Sequence, residues 1–333
     1  MRKILSVVCM AVTFGPLSVA QDHSFNTNRK AADQRGTLNE IGPLMRYLRK
    51  PSVGAGANLH ANSQLAPSVH IYRFVTQDFP GASFTQVMAS NNGVAVGNYS
   101  FATNSPLVPF TFKGGVYRTL TVPGAVSARA FSVNSVGQIV GDYIDTAGVR
   151  HGFLDTAGTF TTIDFPDSPE TTVTDINANG DMVGTWVQLS TDGLEGKQHA
   201  FLFKGGTFTS IDFPGADLTM AFGINQSDEV VGVFQTNIGG NNGFTFQGGT
   251  FTTLNAPLAT ATTLFGVDDA GEISGDYQDA SGTDHGLLFA DGTFSTVTVT
   301  GAAATTLKHI PNKGNFAVSY TDQSGEGHGA TGN

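Results

Sequence analysis

Residues 207–249, TFTSIDFPGADLTMAFGINQSDEVVGVFQTNIGGNNGFTFQGG, hold one complete structural unit. Residues 207–213 are rich in Phe, Thr and Ile, which favour a pleated strand. Pro214-Gly215-Ala216 turns the chain, and residues 219–224 form a second strand. Asn225-Gln226-Ser227-Asp228 turns it again into a third, residues 229–234. After a loop, residues 243–247 form a fourth strand, and Gly248-Gly249 leads into the next unit. We call these strands a, b, c and d.

The unit recurs six times. Its b–c turn residue reappears as Gly93, Gly137, Gly180, Asp228, Gly271 and Gly314, at gaps of 44, 43, 48, 43 and 43 residues. The d–a turn recurs as Gly114-Gly115, Ala157-Gly158, Gly205-Gly206, Gly248-Gly249 and Asp291-Gly292. Four short strands in a period of this length are the signature of a β-propeller blade.

The turns set the blade boundaries. A two-residue Gly-Gly or Asp-Gly connection demands a hairpin, so d and the following a share a blade. Each antiparallel blade is therefore b, c, d, then the next a, with b innermost. The first a strand, residues 71–78, has no d before it, and the last unit has no a after it. The fold expected is all-β, a six-bladed propeller closed by residues 71–78 beside residues 327–332, which removes two open edges.

Outside the repeat, Arg2 and Lys3 precede an apolar run and then Ser18-Val19-Ala20, so residues 1–20 read as a secretory signal peptide. Residues 21–69 read as a linker, with one short helix over residues 37–50 from the spacing of Leu38, Ile41, Leu44, Met45 and Leu48. Residues 70–333 are the propeller domain. Cys9, the single cysteine, lies in the signal, so the mature chain is expected to be secreted, periplasmic or extracellular, and bacterial, without disulfides. No later segment is apolar for long enough to span a membrane as a helix.

Residues 1–69 carry 8 Lys and Arg against 3 Asp and Glu, and residues 70–333 carry 9 against 24. An acidic propeller argues against nucleic-acid binding, which needs basic phosphate contacts. A monomer is expected.

His199-Ala200-Phe201, followed by Gly205-Gly206-Thr207-Phe208-Thr209, resembles the HAF-repeat family of extracellular repeat proteins, named for that tripeptide. His151-Gly152-Phe153, His285-Gly286-Leu287 and His328-Gly329-Ala330 are variants of it, and Gly223-Ile224-Asn225 and Ile139-Val140-Gly141-Asp142-Tyr143 recur around it. The resemblance covers about residues 70–333 and implies export and repeats. It carries no established activity and so no catalytic residues. Val108-Pro109-Phe110 and Asn242-Gly243-Phe244 depart at the histidine.

A histidine repeated in several blades invites a metal or catalytic reading. Hairpin register argues for scaffold: across the d–a turn His199 faces Asp212, His151 faces Asp164, His285 faces Thr298 and Asn242 faces Asn255. In the closing blade His328 meets Asp78. Zinc needs three or four converging ligands, and these histidines belong to different blades. Asp175, Asn177, Asn179 and Gly180 match the start of a calcium loop, but Trp186 stands where the loop's Glu belongs. The acidic c–d loops, with Asp276, Asp279 and Asp284 or Asp142 and Asp145, leave room for weak Ca²⁺; no other cofactor and no catalytic residue is expected.

Function should sit where units deviate, on the face carrying the long a–b and c–d connections. The c–d loop of the third unit, with Trp186, Asp192, Glu195 and Lys197, is the largest deviation. Trp186 either anchors a ligand or fills the core slot of Tyr143 and Tyr277. Along strand b, the residues two before the turn Asn are read as Met88, Ser132, Asp175, Gly223, Gly266 and His309. Asp175 and His309, with Arg129 and Lys308, are the candidate polar site on the axis. The expected function is a non-catalytic binding propeller for a glycan or protein. The alternative is a polysaccharide hydrolase or lyase using Asp175 or loop carboxylates as acid and base.

Overall fold

The computed structural model describes residues 74–102, 105–189, 196–236, 240–312 and 316–332. The expected signal peptide, linker helix and residues 71–73 lie outside the described residues. So do Asp192, Glu195 and Gly314.

The described chain is all strand and turn. Strand β1 (Phe74–Thr76) comes first in sequence and last in the ring. Blade one is β2 (Phe84–Asn91), β3 (Val94–Ser100), β4 (Val108–Lys113) and β5 (Val116–Thr119). Blade two is β6 (Ala125–Val133), β7 (Ile139–Asp145), β8 (Arg150–Thr156) and β9 (Thr159–Ile163). Blade three is β10 (Thr171–Ile176), β11 (Met182–Leu189), β12 (Gly196–Lys204) and β13 (Thr207–Ile211). Blade four is β14 (Leu218–Ile224), β15 (Val230–Gln235), β16 (Asn242–Gln247) and β17 (Thr250–Thr253). Blade five is β18 (Ala261–Val267), β19 (Ile273–Gln278), β20 (Asp284–Ala290) and β21 (Thr293–Val297). Blade six is β22 (Ala304–His309), β23 (Phe316–Thr321), β24 (Gly327–Gly332) and, antiparallel to β24, the returning β1.

Each inner strand packs on the inner strand of the next blade, and β22 packs on β2, so the six blades form a closed β-propeller. The d–a hairpins have the left-handed geometry their residues demand: φ is 57° at Gly205 and 82° at Gly206, and 51° and 73° at Asp291 and Gly292.

The recurrent Val-Gly of strand c and Phe of strand d are cross-strand partners. Gly141 faces Phe153 and Gly184 faces Phe201. A Cβ on Gly141 would lie 1.9 Å from Arg129 O and 2.7 Å from the Phe153 ring. The missing side chain leaves the space the ring fills, and Phe110, Phe153, Phe201 and Phe244 are fully buried. Each such ring contributes about 1.5–3 kcal/mol. In blade six the pair is inverted, with Val318 facing Ala330.

The turn asparagines tie blades together. Asn177 Oδ1 accepts the Asn179 and Asp181 N–H groups, and its Nδ2 donates to Asn225 O in the next blade. Asn134 and Asn225 repeat the arrangement, donating to Asn177 O and Asp268 O. The stretch that resembles a calcium loop thus spends its Asn177 side chain on the turn and the next blade.

Candidate functional site

All six inner strands carry a β-bulge near the axis. One residue in each is skipped by the pairing: Met88, Phe131, Thr174, Phe222, Phe265 and Lys308. A bulge re-aims the extra side chain, and all six line one axial cavity, with about 40 Å³ of free space for water-sized guests. The sequence alignment of Met88 with Ser132 and Asp175 is therefore corrected. The Asn92-Gly93 turn of blade one is shorter, and Ala89 is the residue that follows its bulge.

Three layers follow from the strand direction. Thr172 lies on the a–b side. The bulge residues form the middle. Ser132, Asp175 and His309 form the inner layer. Asp175 and His309 also line a second cavity, walled by the turn residues Asn91, Asn134, Asn177, Asn225 and Asn312. Residues from blades three and six thus mark the waist between two cavities.

Asp175 is buried, and its two oxygens accept backbone N–H groups from Ile176 (2.8 Å) and from Ile224 of the next blade (2.8 Å). Burial pushes its pKa up to about 6, while the Ser132 hydroxyl and the two N–H groups pull it back. Burial pushes His309 down to about 4, so its ring is neutral at pH 7. Its Nδ1 is closed off from solvent and has no hydrogen-bond partner among the described residues. Lys308 is 4% exposed, with Nζ 4.3 Å from the Phe265 ring centroid. Burial lowers its pKa, against the opposing pull of Asp276 and Asp284.

Arg129 does not line the cavity. Its guanidinium is held by Asp142 in a two-pronged ion pair, with Nε 2.8 Å from Oδ1 and Nη2 on Oδ2. Arg150 Nη1 and Thr172 Oγ1 reach the same carboxylate, at 2.8 and 3.1 Å. Burial alone would raise the Asp142 pKa, but the two guanidiniums hold it below the usual carboxylate range.

Trp186 stands apart from the axis. Its indole is stacked between Phe165 (4.1 Å) and His199 (4.6 Å), and Nε1 donates to Ser210 Oγ at 3.3 Å. Tyr143, Tyr277 and Tyr320 occupy the same place, each over the histidine and bonded to an outer-strand Thr. Both indole faces are covered, so no face remains for a sugar ring, and the core-slot reading describes Trp186. Lys197 lies exposed on β12, away from the cavity.

Among the histidines, His151 Nδ1 lies 2.7 Å from Asp164, His199 Nδ1 2.9 Å from Asp212, and His328 Nδ1 3.2 Å from Asp78. Asn255 Nδ2 donates to Asn242 at 2.8 Å. His285 differs from its expected Thr298 partner: its Nε2 lies 2.9 Å from Asp279. The loop explains this. Asp279 Oδ1 accepts the Ser281 and Thr283 N–H groups, which turns its other oxygen toward the histidine. Asp145 and Asp322 build the same loop below His151 and His328. A D-x-[AS]-G spacing six residues before each histidine was readable as an Asx turn. Of the other loop carboxylates, Asp142 is taken by two arginines, and Asp276 is partly buried and accepts from Thr306 Oγ1 at 3.2 Å.

No protein-family model matches the sequence, and no curated protein matches it. Among solved structures the chain is similar to virginiamycin B lyase from Staphylococcus aureus, at 10% identity over 78% of this chain and 99% of that one, TM-score 0.47. It is similar to the β-propeller domain of the Trilobed protease from Pyrococcus furiosus, at 7% identity over 74% and 94%, TM-score 0.47. The fucose-specific lectin from Aleuria aurantia matches at 8% identity over 76% and 93%, TM-score 0.48. At such identities and scores, nothing those proteins bind or cleave passes to this chain.

Proposed function

We propose that the chain is an exported, non-catalytic binding propeller that grips a glycan or protein ligand on the face where the axial cavity opens. The observation that carries this reading is the bulge layer. Six backbones break their ladders at one level and place side chains in one shared axial cavity. Glycoside hydrolysis needs two carboxylates in one cleft, one as acid and one as base or nucleophile. Among the described residues lining the two axial cavities, Asp175 is the single carboxylate, and backbone N–H groups already engage both of its oxygens. That favours binding over the hydrolase alternative.

Glycan and peptide arrays probed with the wild type and with Met88→Trp, which fills the cavity, test the proposal. Hits seen with wild type and lost in the variant support it. Hits that the variant retains would move the site away from the axis, and turnover of a polysaccharide by the wild type would overturn it.

A further inference from the structure

We propose that the axial cavity is a receptor for a neutral ring bearing one hydroxyl, a phenol, whose ring enters the bulge layer while its O–H reaches the Asp175–His309 layer. The proposal rests on the axial binding reading above and names the chemistry that site takes. Three observations carry it.

The first is shape and lining. Met88, Phe131, Phe222 and Phe265 supply the greater part of the bulge layer, and the Phe222 and Phe265 rings lie 5.4 Å apart at 46°. An apolar collar of this kind selects a flat apolar body, because rings pack edge-to-face or offset against it. A bare carbohydrate, with hydroxyls around its whole rim, would leave most of them unpaired against these walls.

The second is polarity by depth. The polar groups are concentrated one residue further along the strands, in Ser132, Asp175 and His309, and behind them the second cavity is lined by turn amides. His309 Nδ1 is shut off from solvent and has no partner among the described residues. A buried polar atom without a partner costs free energy, and a ligand that satisfies it recovers that cost. A hydroxyl both donates and accepts, so it can serve Asp175 and His309 together.

The third is charge. Asp175 opposes an anion entering the inner layer. A carboxylate guest therefore meets a like charge there, and a neutral hydroxyl does not.

The source of the phenol is either a free small molecule or a tyrosine side chain carried by a protein partner. Titration calorimetry with p-cresol, 4-methylanisole, toluene and an N-acetylated, amidated Gly-Tyr-Gly peptide separates these. We expect saturable one-to-one binding of p-cresol, about tenfold tighter than 4-methylanisole or toluene, the effect of one good hydrogen bond. His309→Leu should reduce the p-cresol preference severalfold while toluene affinity is kept, and His309→Leu with Asp175→Leu should bring it to near unity. Met88→Trp should abolish binding of all four. Trp186→Phe, at the distant blade core, should leave affinities unchanged.

Should Met88→Trp fail to fold, the His309 imidazole nitrogen resonances in the wild type serve instead, and p-cresol, but not toluene, should shift Nδ1. Binding of the tripeptide with p-cresol identifies a protein-borne tyrosine as a source. Binding of p-cresol alone points to a free phenol. Failure of p-cresol to bind, or equal affinity for p-cresol and toluene, overturns the proposal. Array hits lost in Met88→Trp but undisplaced by p-cresol would keep the binding reading while removing the phenol.

Discussion

Blades two and five carry the same aspartate at the same place, and their surroundings drive it in opposite directions. Asp142 and Asp276 both follow the strand-c glycine, and both face the next blade. Around Asp142, Arg129 on β6 and Arg150 on β8 supply two guanidiniums, and Thr172 of the next blade adds a hydroxyl. Around Asp276, the equivalent strand positions hold Thr263 and Asp284, and Thr306 of the next blade donates at 3.2 Å. The one cation is Lys308, borne on the next blade's bulge. Burial and the like charge of Asp284 therefore push Asp276 up, where the arginines hold Asp142 down. Position in a repeat fixes where a side chain points, and burial together with the residues on the two flanking strands of its own blade weighs most on its charge.

Removing one arginine should break the contrast most severely. Arg129→Leu leaves the Asp142 carboxylate buried with half its compensation, and we expect a loss of about 3–5 kcal/mol in denaturant unfolding. A loss below about 1 kcal/mol would mean that water enters that seam.

The axial layer sharpens the contrast through pH. Asp175 is raised from 3.8 to about 6 in the fold, so the folded state binds the extra proton and stability falls as pH rises between about 4 and 6. His309 is lowered from 6.5 to about 4, so the unfolded state binds the extra proton and stability rises with pH over nearly the same window. Each amounts to about 3 kcal/mol. Unfolding free energy of the wild type should thus be nearly level from pH 4 to 6 as far as these two groups act. His309→Gln should expose the falling limb and Asp175→Asn the rising one. Identical slopes in both variants would contradict the assigned burial.

At the blade rims the effects shrink. Trp186→Phe keeps the stack between Phe165 and His199 and loses one hydrogen bond, so about 1 kcal/mol is expected from a thermal scan. Asp276→Asn should be the smallest: at pH 7 the substitution removes a charge the site holds poorly, and stability should change by less than about 1 kcal/mol. A large loss there would show Asp276 to be as firmly ion-paired as Asp142.

Much of the scaffold was legible because it repeats. The His–Asp pairs across the d–a hairpins follow from two-residue turns, which leave one register. The site was legible only in part. Asp175 and His309 stood out as departures from the repeat and share the cavity with Lys308, named beside them, whereas Arg129, named on the same ground, is drawn into the blade seam by Asp142. Phe131, Phe222 and Phe265 passed unnoticed, since a phenylalanine in a strand reads as core unless the bulge beneath it is known. Trp186 drew notice for its rarity, yet it occupies the ordinary aromatic slot.

The sequence alone determined the strand count, the blade boundaries and the closure of β24 by β1, because turn chemistry and a fixed period are local constraints that a chain cannot evade. The tertiary structure alone decided what faces the axis and what is charged there. A one-residue bulge changes no composition and no period, but it rotates a side chain from the blade into the channel. Whether a carboxylate keeps its proton depends on its burial and on the side chains the flanking strands bring beside it, Arg129 and Arg150 for Asp142 and Asp284 for Asp276.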